Sequence, residues 1–111
     1  MVRLVIYEYM SRYSYKDKAK AGEAAGLLRI LASGPRLQIV ALLLGNKKGV
    51  CVFEIAEAVG LSQSATSHQL AKLTSHGIVQ CDREGQTMCY KICQCDKAKS
   101  LAWVVKGLET N

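Results

Sequence analysis

The sequence predicts a mainly α-helical domain that carries one small β-hairpin. Two observations predict it: apolar residues recur at helical spacing in several stretches, and two short β-prone runs flank the dipeptide Glu84-Gly85. A third observation is Gly60, which separates two short helical stretches just before those runs. Two short helices joined by a glycine-containing turn form a helix-turn-helix, and the hairpin that follows makes it a winged version.

Length and composition indicate one folded domain, residues 1–111. Half of the residues are hydrophobic and 22% are charged, which argues against disorder. The longest apolar run, residues 39–44, is too short to cross a bilayer, and the N-terminus lacks the pattern of a signal peptide. We therefore expect a cytoplasmic protein with no membrane partner.

The net charge of +6 lies entirely in residues 1–48, which hold nine basic and three acidic residues. This excess suits nucleic acid or an anionic surface, but ordinary solvated lysines would give it as well.

The first half of the chain predicts three helical segments. Residues 1–16 form a tyrosine-rich, weakly helical segment that we expect to be a dimerisation segment or an arm. A helix over 17–31 follows, its apolar face formed by Ala24, Leu27, Leu28 and Leu31. Pro35 begins the next helix and Gly45 ends it. Because the sequence PRLQIVALLL is apolar around most of its circumference, this helix is expected at the centre of the core.

The second half predicts the elements that could bind a ligand. A β-prone run over 50–53 leads into a short helix over 54–59, and Ser62 caps a helix that ends near Ser75, so residues 54–75 form the helix-turn-helix. Strands over 78–83 and 87–93 form the wing, residues 78–93. A last helix, residues 96–109, is predicted to be the C-terminal dimerisation helix. It exposes an apolar stripe too large for one small domain to bury, composed of Leu101, Val104, Val105, Leu108 and Trp103.

The helix that Ser62 caps is predicted to bind DNA. Thr66, Leu70 and Leu73 share its inner face, and small polar side chains occupy its outer face. A helix in the major groove needs short hydrogen-bonding side chains that do not repel phosphate, and residues 60–79 contain no Asp or Glu. The alternative interpretation is a merely solvated face. The predicted DNA contacts on this helix are Gln63, Ser64, Ser67, His68 and Lys72.

Residues 24–93 resemble the ArsR/SmtB family of winged-helix repressors. The resemblance rests on LASGPRLQIVALL, EIAEAVGLSQSATSHQLAKL and GIVQCDREGQTMCYKI. The chain departs from the family at Thr66, where Val is usual, and at His68-Gln69, where a basic residue and His are common. The resemblance implies a homodimer through the first and last helices that represses transcription at an inverted repeat in double-stranded DNA. It also implies that the wing, through Arg83 with help from Gln86, contacts the backbone or minor groove.

Five cysteines are unusually many for a cytoplasmic chain of this size, and their odd number argues against a disulfide framework. Metal ligation, redox chemistry and plain packing remain as explanations. Strand alternation predicts that Cys89, Cys93 and Cys95 share one face, while Met88, Tyr90 and Ile92 face the core. The candidate metal or redox residues are Cys89, Cys93, Cys95, Cys51 and Cys81.

The resemblance further implies that a metal ion, arsenite, antimonite or thiol oxidation releases the DNA. The family's Cys-x-Cys thiolate site is incomplete here, because Phe53 follows Cys51-Val52. The family's zinc site on the last helix keeps Asp96 but has no His. No cofactor is predicted firmly. A thiophilic metal ion or arsenite as inducer and an oxidant or persulfide signal remain open.

Two other classes of function compete with this interpretation. An enzyme with a Cys nucleophile would need a His base, and His68 and His76 are the two histidines, neither with an evident carboxylate to orient it. His76 is expected to cap a helix end. We therefore predict no enzymatic activity. A winged-helix module that binds RNA or protein, or a regulator that senses nothing, remains the alternative.

Overall fold

A computed structural model describes residues 17–109 of the chain. The predicted N-terminal dimerisation or arm segment, residues 1–16, lies outside the described residues. Five helices and a three-stranded antiparallel sheet make up the described part, which confirms the predicted fold class. Their order is α1 (Lys18–Leu31), α2 (Gly34–Leu44), β1 (Val50–Cys51), α3 (Val52–Val59), α4 (Gln63–Ser75), β2 (Val79–Glu84), β3 (Thr87–Ile92) and α5 (Asp96–Leu108).

Local sequence signals set the ends of the first two helices. The Asp17 side chain accepts a hydrogen bond from the N–H of Ala19 at 2.9 Å and so caps α1. Ser33 caps α2 in the same way, with Pro35 in the first turn, where its missing N–H costs nothing. Gly45 is the C-cap of α2, as the sequence predicts.

The segment between α2 and α4 differs from its prediction. The β-prone run is only two residues long, and α3 begins at Val52 instead of residue 54. The reason is that the Glu54 carboxylate accepts the Cys51 N–H at 3.2 Å, which starts the helix early. The two-residue β1 pairs with β3, so the sheet order is β1-β3-β2 and the predicted hairpin gains a third strand.

The core is built around α2, as its all-round apolar sequence predicts. Ile39, Val40 and Leu43 of α2 are fully buried. They pack in one cluster with buried side chains of every other helix and of the sheet. Each such side chain contributes about 1.5–3 kcal/mol of burial energy, so this cluster is the main stabilising element that holds the later helices in place.

The predicted apolar stripe of α5 is only partly correct. Leu101 and Val105 are buried within the chain's own core, whereas Trp103 is 80% exposed and Leu108 is 68% exposed. The helix therefore has one apolar face turned inward and a second set of apolar side chains turned outward. On α1, Leu28 of the predicted apolar face is likewise 53% exposed, and Ile30 and Leu31 are the buried residues of that helix.

Helix length and composition bear on whether the described helices could insert in a membrane. Within residues 17–109, no single helix is long and apolar enough to span a bilayer. The pair α1 and α2 reaches that length and composition only together, across a bend of 96°.

Candidate DNA interface and cysteine pairs

The turn before α4 is built from local backbone geometry. Gly60 ends α3 in the left-handed conformation, with φ of 71°, which residues with a Cβ rarely adopt. The N–H of Leu61 donates to the Ala56 carbonyl at 3.1 Å and closes the turn. Ser62 then accepts a hydrogen bond from the Ala65 N–H at 3.1 Å and caps α4. These contacts fix the direction in which α4 leaves α3.

Helix α4 has one buried face and one solvent face. Thr66, Leu70 and Leu73 are fully buried, as predicted. The Thr66 hydroxyl donates to the Ser62 carbonyl at 2.9 Å, so a buried polar side chain in place of the usual Val has a partner. The five residues predicted on the outer face are all exposed: Gln63, Ser64, Ser67, His68 and Lys72.

A contact that the sequence analysis missed holds α4 to the rest of the fold. The Arg36 guanidinium on α2 donates to the Gln69 side-chain oxygen at 2.9 Å and to the Ile30 carbonyl at 2.6 Å. Arg36 thus joins the end of α1, the start of α2 and the middle of α4. The signal that could have revealed this role is the charged Arg36 in an otherwise apolar helix, together with a polar Gln69 next to the buried Leu70.

The wing is the hairpin of β2 and β3. Arg83 lies opposite Met88, one residue pair from the turn that Gly85 and Gln86 make. The side chains of Arg83 and Gln86 are exposed, as a contact with DNA would require. The prediction that Met88 faces the core is wrong: Met88 is 38% exposed and lies opposite Arg83, near the tip of the hairpin.

The prediction that Cys89 lies with Cys93 and Cys95 is wrong. The Cys89 sulfur lies 2.9 Å from the Cys51 sulfur, because β1 places Cys51 directly opposite Cys89. All five cysteines are free thiols. The contact with Cys89, then burial and the nearby Glu54 carboxylate, raise the pKa of the Cys51 thiol to about 12. Cys51 therefore resists forming the thiolate.

Cys93 and Cys95 form a second pair of thiols, and each shifts the pKa of the other. Cys95 is the N-cap of α5. The neighbouring Cys93 thiol, followed by the backbone N–H of Ala98, lowers the pKa of the Cys95 thiol. The same proximity raises the pKa of the Cys93 thiol. Of the two thiols, Cys95 is therefore the one that more readily forms a thiolate.

An open cleft of about 360 Å³ lies beside this second pair, between the end of α2 and the start of α5. Both thiols line it, together with Lys47 and Lys99. Asp96 lines the cleft as well, with its carboxylate 4.0 Å from the Lys99 ammonium, so the lining carries two positive charges and one negative charge. The cleft can admit a small, thiol-reactive molecule or ion.

Two further sequence predictions concern single residues. Cys81 lies opposite Tyr90 across β2 and β3, and burial, with the nearby Cys81 thiol second, raises the pKa of the Tyr90 hydroxyl. His76 is the C-cap of α4, and its Nδ1 lies 2.9 Å from the Lys72 carbonyl, which agrees with the predicted capping role. Across residues 17–109, no three His, Cys, Asp or Glu side chains are grouped to hold a metal ion.

The fold and the exposed polar face of α4 define this chain as a winged helix-turn-helix protein. Residues 27–80 match the family described as "Bacterial regulatory protein, arsR family". Among curated proteins, the chain is 38% identical over 76 residues to the HTH-type transcriptional regulator NmtR of Mycobacterium tuberculosis. That match covers 68% of this chain and 62% of NmtR, so the chain spans somewhat less than two thirds of that relative.

Two solved structures extend the match over more of the fold. One is the homodimeric winged helix-turn-helix DNA-binding domain of Mb0332 from Mycobacterium bovis, a possible ArsR-family transcriptional regulator. It has a TM-score of 0.71 and 34% identity, and the match covers 82% of both chains. The other is the antimony-specific transcriptional repressor AntR, with a TM-score of 0.72, 31% identity, and coverage of 84% of this chain and 83% of AntR. The chain belongs to the ArsR family of transcriptional regulators.

Proposed function

We propose that this protein is a sequence-specific transcriptional repressor that binds an inverted repeat as a homodimer and releases it when its cysteines meet a thiol-reactive signal. The observation that carries the proposal is the division of α4 into two faces. Its apolar side chains are buried in the core, while the short polar ones predicted to read DNA are all exposed. As a DNA-bound regulator it would act in the cytoplasm.

The exposed face of α4 has the chemistry of a major-groove surface. Gln63 in the first turn can make a bidentate contact with adenine, and Ser64 and Ser67 can donate to or accept from base edges or phosphates. His68 lies next to Ser67 on the exposed face, and Lys72, one turn further on, would neutralise a phosphate. The N-terminal turns of α4 would therefore enter the groove, as recognition helices do.

The wing would supply contacts outside the major groove. Arg83 and Gln86 stand exposed at the tip of the hairpin, away from the core. An arginine there suits the phosphate backbone or the negative potential of a minor groove. These two contacts would add affinity more than base discrimination.

A homodimer would account for the apolar side chains that the fold leaves uncovered. Trp103 and Leu108 on α5 and Leu28 on α1 are exposed large hydrophobic residues. The related domain of Mb0332 is a homodimer. A two-fold dimer presents two copies of α4 to successive turns of the duplex, and this geometry requires an inverted repeat. Residues 1–16 would add to the same interface or act as an arm.

The cleft beside Cys93 and Cys95 is the proposed entry for the inducer. Cys95, a thiol with a lowered pKa, is the N-cap of α5, and α5 also carries the exposed Trp103. Modification of this N-cap would change how α5 packs and so change the distance between the two α4 helices. A soft metal ion, arsenite or antimonite is one class of inducer, in line with the antimony response of AntR. An oxidant or a persulfide is the other class.

Fluorescence anisotropy of a labelled duplex tests the DNA-binding part. The duplex carries an inverted repeat from the DNA upstream of the protein's own gene, and the salt dependence of its affinity is recorded. Ser67→Ala/His68→Ala should weaken binding while the circular dichroism spectrum stays unchanged. A matched pair of Gln→Ala variants distinguishes the loss of a DNA contact on α4 from a general effect of changing an exposed glutamine. Gln63→Ala should weaken binding, and Gln38→Ala on the exposed side of α2 should not. Equal affinity for all these variants, or preference for RNA of the same sequence, would contradict the proposal.

A further inference from the structure

Cys51 and Cys89 form a thiol pair that the proposed sensing mechanism does not use. They lie directly opposite each other in the antiparallel pairing of β1 with β3, with 2.9 Å between their sulfur atoms. Cys89 is buried and Cys51 is partly exposed. They are 38 positions apart in the sequence. The fold therefore brings together two reactive groups that no local motif pairs.

The geometry of this pair suits a disulfide bond. Opposite residues in an antiparallel sheet have Cα atoms roughly 4.5–5.5 Å apart, within the span of about 4.4–6.8 Å that disulfides bridge. Bond formation would shorten the sulfur–sulfur distance from 2.9 Å to about 2.05 Å without changing the strand register.

We propose that Cys51 and Cys89 are a disulfide site that locks the wing to the first helix of the helix-turn-helix and preserves DNA binding. Cys51 is the N-cap of α3, and Cys89 lies in the middle of β3. A bond between them joins the two parts of the fold that position α4 and the wing tip. Because the reduced thiols are already in contact, the bond leaves these parts where they are.

A peroxide is the co-reactant for this step. One sulfur, as the thiolate, attacks a peroxide oxygen, the O–O bond breaks, and a sulfenic acid forms with loss of hydroxide. The sulfur of the second cysteine then attacks the sulfenic sulfur, and its proton and the departing hydroxide leave as water. Two thiols are oxidised to one disulfide, and one hydrogen peroxide is reduced to two waters.

The surroundings of the pair make this reaction slower than the reaction at Cys95. The Glu54 carboxylate accepts a hydrogen bond from the Cys51 N–H, and a Glu84 carboxylate oxygen lies 3.9 Å from the Cys89 sulfur. Negative charge on both sides disfavours the thiolate that must attack the peroxide. Brief oxidation should therefore modify Cys95, and only sustained oxidation should close the bond between Cys51 and Cys89.

The test uses the full chain with Cys81, Cys93 and Cys95 changed to Ser, so that Cys51 and Cys89 are the remaining thiols. After sustained treatment with hydrogen peroxide, we expect the mass to fall by two hydrogen atoms and a peptide map to show the two cysteines linked. The urea unfolding midpoint should rise, and the affinity for the inverted-repeat duplex should stay unchanged. The control adds Cys51→Ser, which leaves one thiol and should show neither the link nor the rise.

Two results would overturn this proposal. One is two free thiols, or thiols oxidised separately, after sustained peroxide treatment that far exceeds the exposure needed to consume Cys95 in the wild-type chain. The other is a linked protein that has lost affinity for the duplex that its reduced form binds. If neither form binds the duplex, the proposed function fails, and the peptide map with the urea midpoint still decides whether the disulfide forms and stabilises the fold.

Discussion

Closing the bond between Cys51 and Cys89 should stabilise the domain by an amount that follows from the fold. The two residues are 38 positions apart, so the bond closes a loop of that size in the unfolded chain. The lost loop entropy corresponds to about 4 kcal/mol at 25 °C. Adjustment of the native sulfur positions subtracts from this gain, but the thiols are already 2.9 Å apart and little adjustment is needed.

Urea unfolding of the variant that keeps only these two cysteines measures the gain. With a denaturant slope of about 1.5 kcal/mol per M, the midpoint of the oxidised protein should exceed that of the reduced protein by roughly 2.5 M. Both forms must be compared at one protein concentration, since dimerisation also stabilises the fold. A rise that disappears on adding a thiol reductant confirms the cause. A midpoint that falls on oxidation, or that rises equally in the Cys51→Ser control, would refute the reasoning.

Three further predictions concern α4 and the reactive cysteine. Leu70→Ala leaves a cavity in the fully buried face of α4 and should lower the free energy of unfolding, measured by urea titration, by about 2–5 kcal/mol. The variant should also lose DNA binding at temperatures at which the wild type still binds. In a double-mutant cycle, Arg36→Met and Gln69→Leu should be coupled by about 1.5 kcal/mol, measured in the same titration, because their hydrogen bond involves a charged donor. Additive effects would show that this contact does not hold α4. Because the pKa of Cys95 is lowered, its thiolate persists to lower pH than that of an ordinary thiol, so iodoacetamide should label Cys95 first at neutral pH. Cys93→Ala removes the main cause of that lowering and should move the pH profile of labelling, followed by mass spectrometry, towards higher pH.

The elements with local signals were predictable from the sequence. The cap at Ser62, the glycine at position 60 and the inner face of Thr66, Leu70 and Leu73 depend on residues within one or two turns of each other. The outer face of α4 follows from the same periodicity. The candidate DNA-contacting residues of α4 could therefore be chosen from the sequence, and the structure places all five on the solvent side.

The cysteine arrangement was not predictable, since it depends on pairing between distant segments. A two-residue strand such as β1 has no periodicity to indicate its partner, and alternation along β3 alone placed Cys89 with Cys93. Side chains directly opposite on adjacent strands lie closer than those four positions apart on one strand, so Cys51 is the true neighbour of Cys89. The contact of Arg36 with Gln69 is non-local in the same way.

The outer face of α5 shows a different limit of sequence patterns. The spacing of Leu101, Val104, Val105 and Leu108 fits one apolar face of a helix, and that pattern does not say which members face the chain's own core. Packing against α2 buries Leu101 and Val105 and leaves Leu108 and Trp103 to solvent. A surface of this kind is what a second copy of the chain would cover.

Release of DNA by a thiol-reactive signal is the central claim, and one titration tests it most directly. The reduced protein, bound to the labelled inverted-repeat duplex, is titrated in parallel with arsenite, zinc, cadmium and hydrogen peroxide while anisotropy and free thiols are followed. The wild type and the Cys81→Ser control should both release the duplex as the Cys95 thiol is consumed, whereas Cys93→Ser/Cys95→Ser should remain bound. Release of that double variant at the same inducer concentration as the wild type would contradict the account.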